Sequence, residues 1–160
     1  MDGWDNFFLA EVGASAALTG LIFVGVSINL KKILSAPRLP ERALEALLML
    51  STVLVISSLL LIPGLTLVAA GAEVMVVGLG AWIMTIVLDV KTSHNTKAQF
   101  RRLFTIQVVL NQITLLPYIA AGVVILSGSL NGLYWLVAGV MLSFINALAD
   151  AWVLLVEINR

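Results

Sequence analysis

Apolar residues gather in five long stretches, at about residues 12–30, 43–62, 72–90, 103–126 and 133–158, separated by short polar segments. A helix rising about 1.5 Å per residue needs about 20 residues to cross about 30 Å of hydrocarbon, so each stretch has the length of a span. Pro40-Glu41 reads as a helix start and Pro63-Gly64 as the end of the same helix. The third span has room to begin earlier, because Leu65 to Ala70 is also apolar. Ser127-Gly128-Ser129-Leu130-Asn131-Gly132 reads as a tight turn. The expected fold is an all-α membrane protein, a single domain over residues 1–160 formed by five transmembrane helices.

Composition removes the soluble alternative. The 160 residues are 61% hydrophobic and 11% charged, whereas a soluble domain has about 25% charged residues. Mean hydropathy is +1.08. A positively charged segment ahead of the first apolar run would mark a cleaved leader. The chain instead opens Met1-Asp2-Gly3-Trp4-Asp5 and has its first lysine at Lys31, so the run reads as a retained span.

Charge sets the expected orientation. Lys31, Lys32, Arg38 and Arg42 lie between spans one and two, and Lys91, Lys97, Arg101 and Arg102 between three and four; Arg160 closes the chain. All nine basic residues thus fall on one side, which the positive-inside rule makes cytoplasmic. Asp2, Asp5, Glu11 and Glu73 mark the other side, so the N-terminus is expected outside and the C-terminus in the cytoplasm. Trp4, Phe7, Phe8, Tyr134 and Trp135 suit the outer interface, and Phe100, Phe104 and Trp152 the inner one. The basic loops are expected to meet anionic lipid headgroups. A net charge of zero gives no reason to expect nucleic acid as a partner.

Polar residues within spans are costly in hydrocarbon and carry the candidate chemistry. Gln107, Asn111, Thr114 and Tyr118 fall on one face of span four. Ser143, Asn146, Asp150 and Glu157 share a face of span five; Thr85 and Asp89 lie four apart in span three, and Glu45 and Thr52 seven apart in span two. The spacing Gly78…Thr85…Asp89 recurs as Gly139…Asn146…Asp150. Ser27, Thr52, Thr85, Asn111, Asn146 and Asp150 fall in the cytoplasmic half, which a water-accessible cavity would explain. Asp150 is expected about 12 Å from the cytoplasmic end of its helix, with Asn111 at similar depth and no Lys or Arg to pair with it. It reads either as a proton or cation site or as a hydrogen-bonded structural group. The expected pathway is Asp150, Asn146, Asn111, Thr114, Gln107, Asp89 and Thr85.

In span one, Gly13 and Ala17, and Ala16 and Gly20, lie four apart, a spacing that lets helices approach closely. This face reads as packing within the subunit, or as a contact between copies or a pore-lining face. Pro117 interrupts span four by removing a backbone bond to Ile113. His94 stands alone in a polar loop, and there is no cysteine, so no metal site or cofactor is expected. The chain has no H-E-x-x-H, G-x-S-x-G or Walker signature, so no catalytic residues are assigned and no enzyme is expected.

The segments Trp4-Asp5-Asn6-Phe7-Phe8, Glu11 through Leu30, and Leu39-Pro40-Glu41-Arg42-Ala43-Leu44-Glu45 resemble an uncharacterised family of small bacterial membrane proteins. The resemblance implies the bacterial inner membrane and brings no activity. Some such proteins are described as modulators of a membrane-bound AAA+ protease, a description no residue here carries. Two functions are expected from the sequence. One is a homo-oligomeric channel or transporter for a small ion or solute, with a polar cytoplasmic cavity. The other is an accessory protein that binds and modulates another membrane protein or protease.

Overall fold

The computed structural model describes residues 3–35, 38–94 and 101–158. Asp2, Lys97, Phe100 and Arg160, and the side chains of His94 and Glu157, lie outside the described residues. Among the described residues six helices follow in order: α1 Asp5–Ile28, α2 Leu30–Ser35, α3 Leu39–Leu60, α4 Leu67–His94, α5 Arg101–Leu126 and α6 Gly132–Ile158. All except α2 are long and apolar enough to cross a membrane.

The spans occur as the apolar pattern predicts, with longer ends. Helix α1 begins at Asp5 rather than near residue 12, because Phe7 to Ala10 continue its apolar run past Glu11. Glu11 is consequently buried inside a helix rather than marking its boundary. Helix α4 starts at Leu67, taking in the apolar residues before 72. Pro40 occupies the first turn of α3, where its missing N–H costs nothing. Helix α5 runs continuously through Pro117. At its end Gly128 takes a φ of +87°, a left-handed conformation that glycine adopts without a Cβ penalty. The chain then turns within the predicted 127–132 segment.

Helices α3, α4, α5 and α6 form a ring in which each packs against the next, and α1 docks on the outside of α3. Helix α3 is therefore the most enclosed span and α1 the least. Alternating helix direction gathers α2, the ends of α1, α4 and α6, and the starts of α3 and α5 at one end, here termed the basic end. Lys31, Lys32, Lys91, Arg101 and Arg102 are exposed there. At the opposite, far end, Trp4 packs edge-on against Tyr134, 5.4 Å between ring centroids, and joins Phe7 and Phe8. An apolar groove of about 230 Å³ separates α1 from α6 in the basic half, lined by residues such as Ile22, Gly25 and Leu154.

The close helix approaches lie elsewhere than the small-residue spacing of span one suggests. Gly13, Ala16, Ala17 and Gly20 are all exposed, and nothing lies within 4 Å of a Cβ built on either glycine. Among the described residues nothing packs closely on the two glycines of this face: α1 turns Phe8, Glu11 and Ser15 inward instead. The tight contact is α4 against α5, where a Cβ on Gly122 would sit 3.1 Å from the Met75 backbone and one on Gly71 2.8 Å from Leu126 N. Gly78 and Gly139, equivalent in the repeated spacing, both face Tyr118 from opposite sides of α5. Replacing Gly20 with leucine should leave the unfolding free energy in detergent within about 0.5 kcal/mol of wild type, as at other unpacked positions. A larger loss would place Gly20 in a contact that one subunit does not make.

Candidate functional site

Polar side chains from four helices meet inside the basic half of the ring. Glu45 is the hub: its Oε2 accepts from Gln107 Nε2 at 2.6 Å and from Asn111 Nδ2 at 3.2 Å. The same Asn111 Nδ2 donates to Asp89 Oδ1 at 3.4 Å. Asn146 Nδ2 donates to Asn111 Oδ1 at 3.0 Å and lies 3.4 Å from Met49 Sδ. A chain of bonds therefore joins α3, α4, α5 and α6 through one asparagine. Asn111 is fully buried and Glu45 is 2% exposed, so these bonds replace water rather than supplement it. Asp89 keeps a second oxygen, Oδ2, buried without a hydrogen-bond partner among the described residues.

Two arginines close the network at the basic end. Arg42 Nη1 lies 3.4 Å from Asp150 Oδ1, an ion pair with both side chains largely enclosed. This corrects the expectation that no cation reaches Asp150. Arg42 sits in the first turn of α3, and its long stem carries the guanidinium inward to the neighbouring α6. Depth counted along one helix misses such a reach. Asn111, expected to serve Asp150, is instead committed to Glu45, Asp89 and Asn146. Arg38 precedes α3 with a φ of +73°, and its Nη2 donates to Gln107 Oε1 at 3.4 Å. Its guanidinium also lies over the Phe104 ring, 5.3 Å from the centroid. Burial and the adjacent Arg42 charge lower the Arg38 pKa from its ordinary value, while a guanidinium stays charged.

The threonines behave differently. Thr52, Thr85 and Thr114 each donate to the carbonyl four residues earlier, at 2.8, 2.9 and 2.8 Å. They contribute acceptor oxygens to the ring without bridging helices. Ser27, expected with this group, is exposed on α1 and bonds to Phe23 O. Trp82 Nε1 donates to Gln112 Oε1 between α4 and α5.

A second polar level lies toward the far end. Tyr118 is fully buried, and its hydroxyl pairs with Ser143 Oγ at 2.9 Å. Counting helical rise from the basic end, Glu45 and Asp89 stand at about 8–9 Å, Asp150 at about 12 Å and Asn111 at about 15 Å. Thr52 and Thr114 follow at about 20 Å, then Ser143, Tyr118 and Glu11 at about 22–26 Å. The polar groups thus form a column in two parts, a bonded network in the basic half and the Tyr118–Ser143 pair toward the far end.

Of the residues read from the sequence, Gln107, Asn111, Asn146 and Asp89 are joined directly, Asp150 stands beside them with Arg42, and Thr85 and Thr114 line the same interior. Sequence reasoning left Glu45 outside the site, although a glutamate six residues into a span was its own signal. It also missed Arg38 and Arg42, whose roles depend on which helices are neighbours. Among the described residues no three His, Cys, Asp or Glu side chains form a group that could hold a metal ion. Comparison of the chain with protein-family models, with curated proteins and with solved structures finds no match.

Proposed function

We propose that the protein moves protons across a membrane, alone or with a small solute, through the polar column inside its bundle. The observation that carries this reading is that two buried carboxylates on different helices, Glu45 and Asp89, share one amide donor, Asn111 Nδ2. Structural polar groups in a span are normally matched donor for acceptor. Here, among the described residues of the network, three carboxylates face two guanidiniums, and Arg42 is committed to Asp150. A proton completes the Glu45–Asp89 pair, and hydrogen-bonded amides and hydroxyls on either side offer it places to move. The basic end faces the cytoplasm by the positive-inside rule, and the resemblance of the N-terminal third points to a bacterial inner membrane.

The test is flux through the purified protein in liposomes. An imposed potassium diffusion potential should drive a lumenal pH change faster than in empty liposomes. A rate equal to that of empty liposomes would overturn the reading.

A second reading is favoured by the outward face of α1. Gly13, Ala16, Ala17 and Gly20 are placed to receive another helix, from a second copy or from a different membrane protein. In this reading the protein assembles with a partner and alters its behaviour. Its sign would be a second chain in fixed ratio after purification in mild detergent, together with absent flux.

A further inference from the structure

We propose that the groove between α1 and α6 is a binding site for an anionic phospholipid, with one acyl chain seated in the groove and the headgroup phosphate at Lys31. The inference is independent of the proton pathway and needs only that the bundle sits in a bilayer. Helix α1 leans on α3 rather than on α6, which leaves about 230 Å³ open between α1 and α6. The back wall is closed by α3: Leu18 and Ile22 of α1 pack with Met49 and Leu50 of α3 and with Ala147 of α6. At the basic end α2 crosses toward α6, and buried Ile33 meets Leu154 there. The side toward the bilayer is open, since Leu21, Leu148 and Leu155 on the rims are each half exposed or more.

Length, thickness and charge select the occupant. From Leu18 to Asn29 the groove follows α1 for about 16 Å of helical rise, close to the hydrocarbon depth of one leaflet. A helix, about 10–12 Å across with its side chains, is too thick for this volume, whereas an extended acyl chain is not. Asn29 is the one polar side chain in the lining, and it stands at the basic mouth, two residues from Lys31. Helix α2 exposes Lys31 and Lys32 and contains no acidic residue. Helix α1 has none after Glu11, about 27 Å of rise from Asn29. A negative headgroup at this mouth therefore meets positive charge. A second copy in the same membrane would carry its own lysines at the same depth and set like charge against like.

Gly25 keeps the groove open. It lines the space, and nothing lies within 4 Å of a Cβ built on it. A large side chain at this position should fill the groove without displacing a contact inside the subunit.

The test is photolabelling in phosphatidylcholine liposomes doped with phosphatidylglycerol or phosphatidylcholine that carries a diazirine in one acyl chain, followed by peptide mapping. In wild type, phosphatidylglycerol should label residues 18–33 and 148–155 about fivefold more than phosphatidylcholine does, the effect of one lysine near a membrane surface. Lys31→Gln should remove that preference. Gly25→Phe should lower the labelling of both segments to that of Val76 and Met84, which are exposed on α4 and meet bulk lipid. Equal labelling by the two lipids in wild type, or unchanged labelling in Gly25→Phe, would overturn the proposal. Segments left unlabelled in a particle with the mass of a dimer would overturn it too, and give the groove to a second copy. An unfolding midpoint matching wild type shows that Gly25→Phe fills the groove without loss of fold. Lys31→Gln, at an exposed position, keeps the test decisive if that variant fails to fold.

Discussion

Replacing Asn111 with leucine is expected to destabilise the bundle by about 2–4 kcal/mol, the scale of leaving buried polar groups without partners. Leucine has the same number of side-chain heavy atoms and the same branching, so the substitution removes bonding without opening a cavity. Asn111 donates to Glu45 and Asp89 and accepts from Asn146, which ties α3, α4 and α6 to α5. Its loss removes one of the amide partners of Asp89 and frees the Asn146 amide, while Glu45 retains Gln107. Single hydrogen bonds between membrane helices often contribute only about 0.6 kcal/mol, because the unfolded helices find other partners. The larger figure here comes from leaving several buried charged and amide groups short of partners at once, rather than from any single bond. Reversible unfolding in mixed micelles measures it. A change below about 0.5 kcal/mol, ordinary for an unpacked position, would show that Asn111 does not hold the network.

Replacing Gly122 with leucine should cost the fold about 3 kcal/mol or more, at the upper end of overpacking penalties. A Cβ at this position would lie 3.0 Å from Met75 Cβ and 3.1 Å from both Met75 Cα and N. Two of those three atoms are backbone, so no rotamer change relieves the contact and α4 must move away from α5. That motion also carries Asp89 away from Asn111, since the two sit on these same helices. The measurable consequence is a joint loss of unfolding free energy and proton flux. Gly20→Leu serves as its counterpart, with the same side chain placed where one subunit offers no obstacle. An unaffected Gly122→Leu protein would mean that α4 and α5 are not packed through this glycine.

The contrast between these glycines shows what the sequence could convey. Four-residue spacing of Gly13, Ala16, Ala17 and Gly20 tells that a backbone approach is possible, but not whether the subunit supplies the approaching helix. The contacts at Gly71, Gly78 and Gly122 are spread over two helices and lack that local spacing, so they emerge only once α4 and α5 are paired. The spans were legible because about 20 consecutive apolar residues have few other uses. The shared face of Gln107, Asn111 and Tyr118 was legible because helical periodicity alone places them together. Glu45 was singled out among the polar residues within spans but left out of the expected pathway, because a carboxylate near a helix start reads equally well as an interfacial residue. Arg42 escaped because depth was judged along one helix, whereas its side chain crosses to another.

The polar interior also differs in kind from a cavity that water would fill. Asn111, Thr85 and Ser143 are fully buried, and the amides bond to carboxylates directly. Such packing suits a proton, which moves by exchange along hydrogen bonds, better than a hydrated ion. It also gives the arginines a definite place. Arg42 neutralises Asp150, and Arg38 caps Gln107 at the entrance, so the one negative charge left over in the network falls to Glu45 and Asp89 together.

The central claim is that the Glu45–Asp89 pair carries the proton, and Glu45→Gln tests it most directly. Glutamine preserves the shape of the side chain and one acceptor oxygen for Gln107 and Asn111, but it cannot release or take up the proton. Wild type and Glu45→Gln should be reconstituted at equal density, after matching their unfolding midpoints, and compared for potential-driven lumenal pH change. The account predicts wild-type flux above that of empty liposomes and its loss in Glu45→Gln. Equal flux from the two proteins would contradict it.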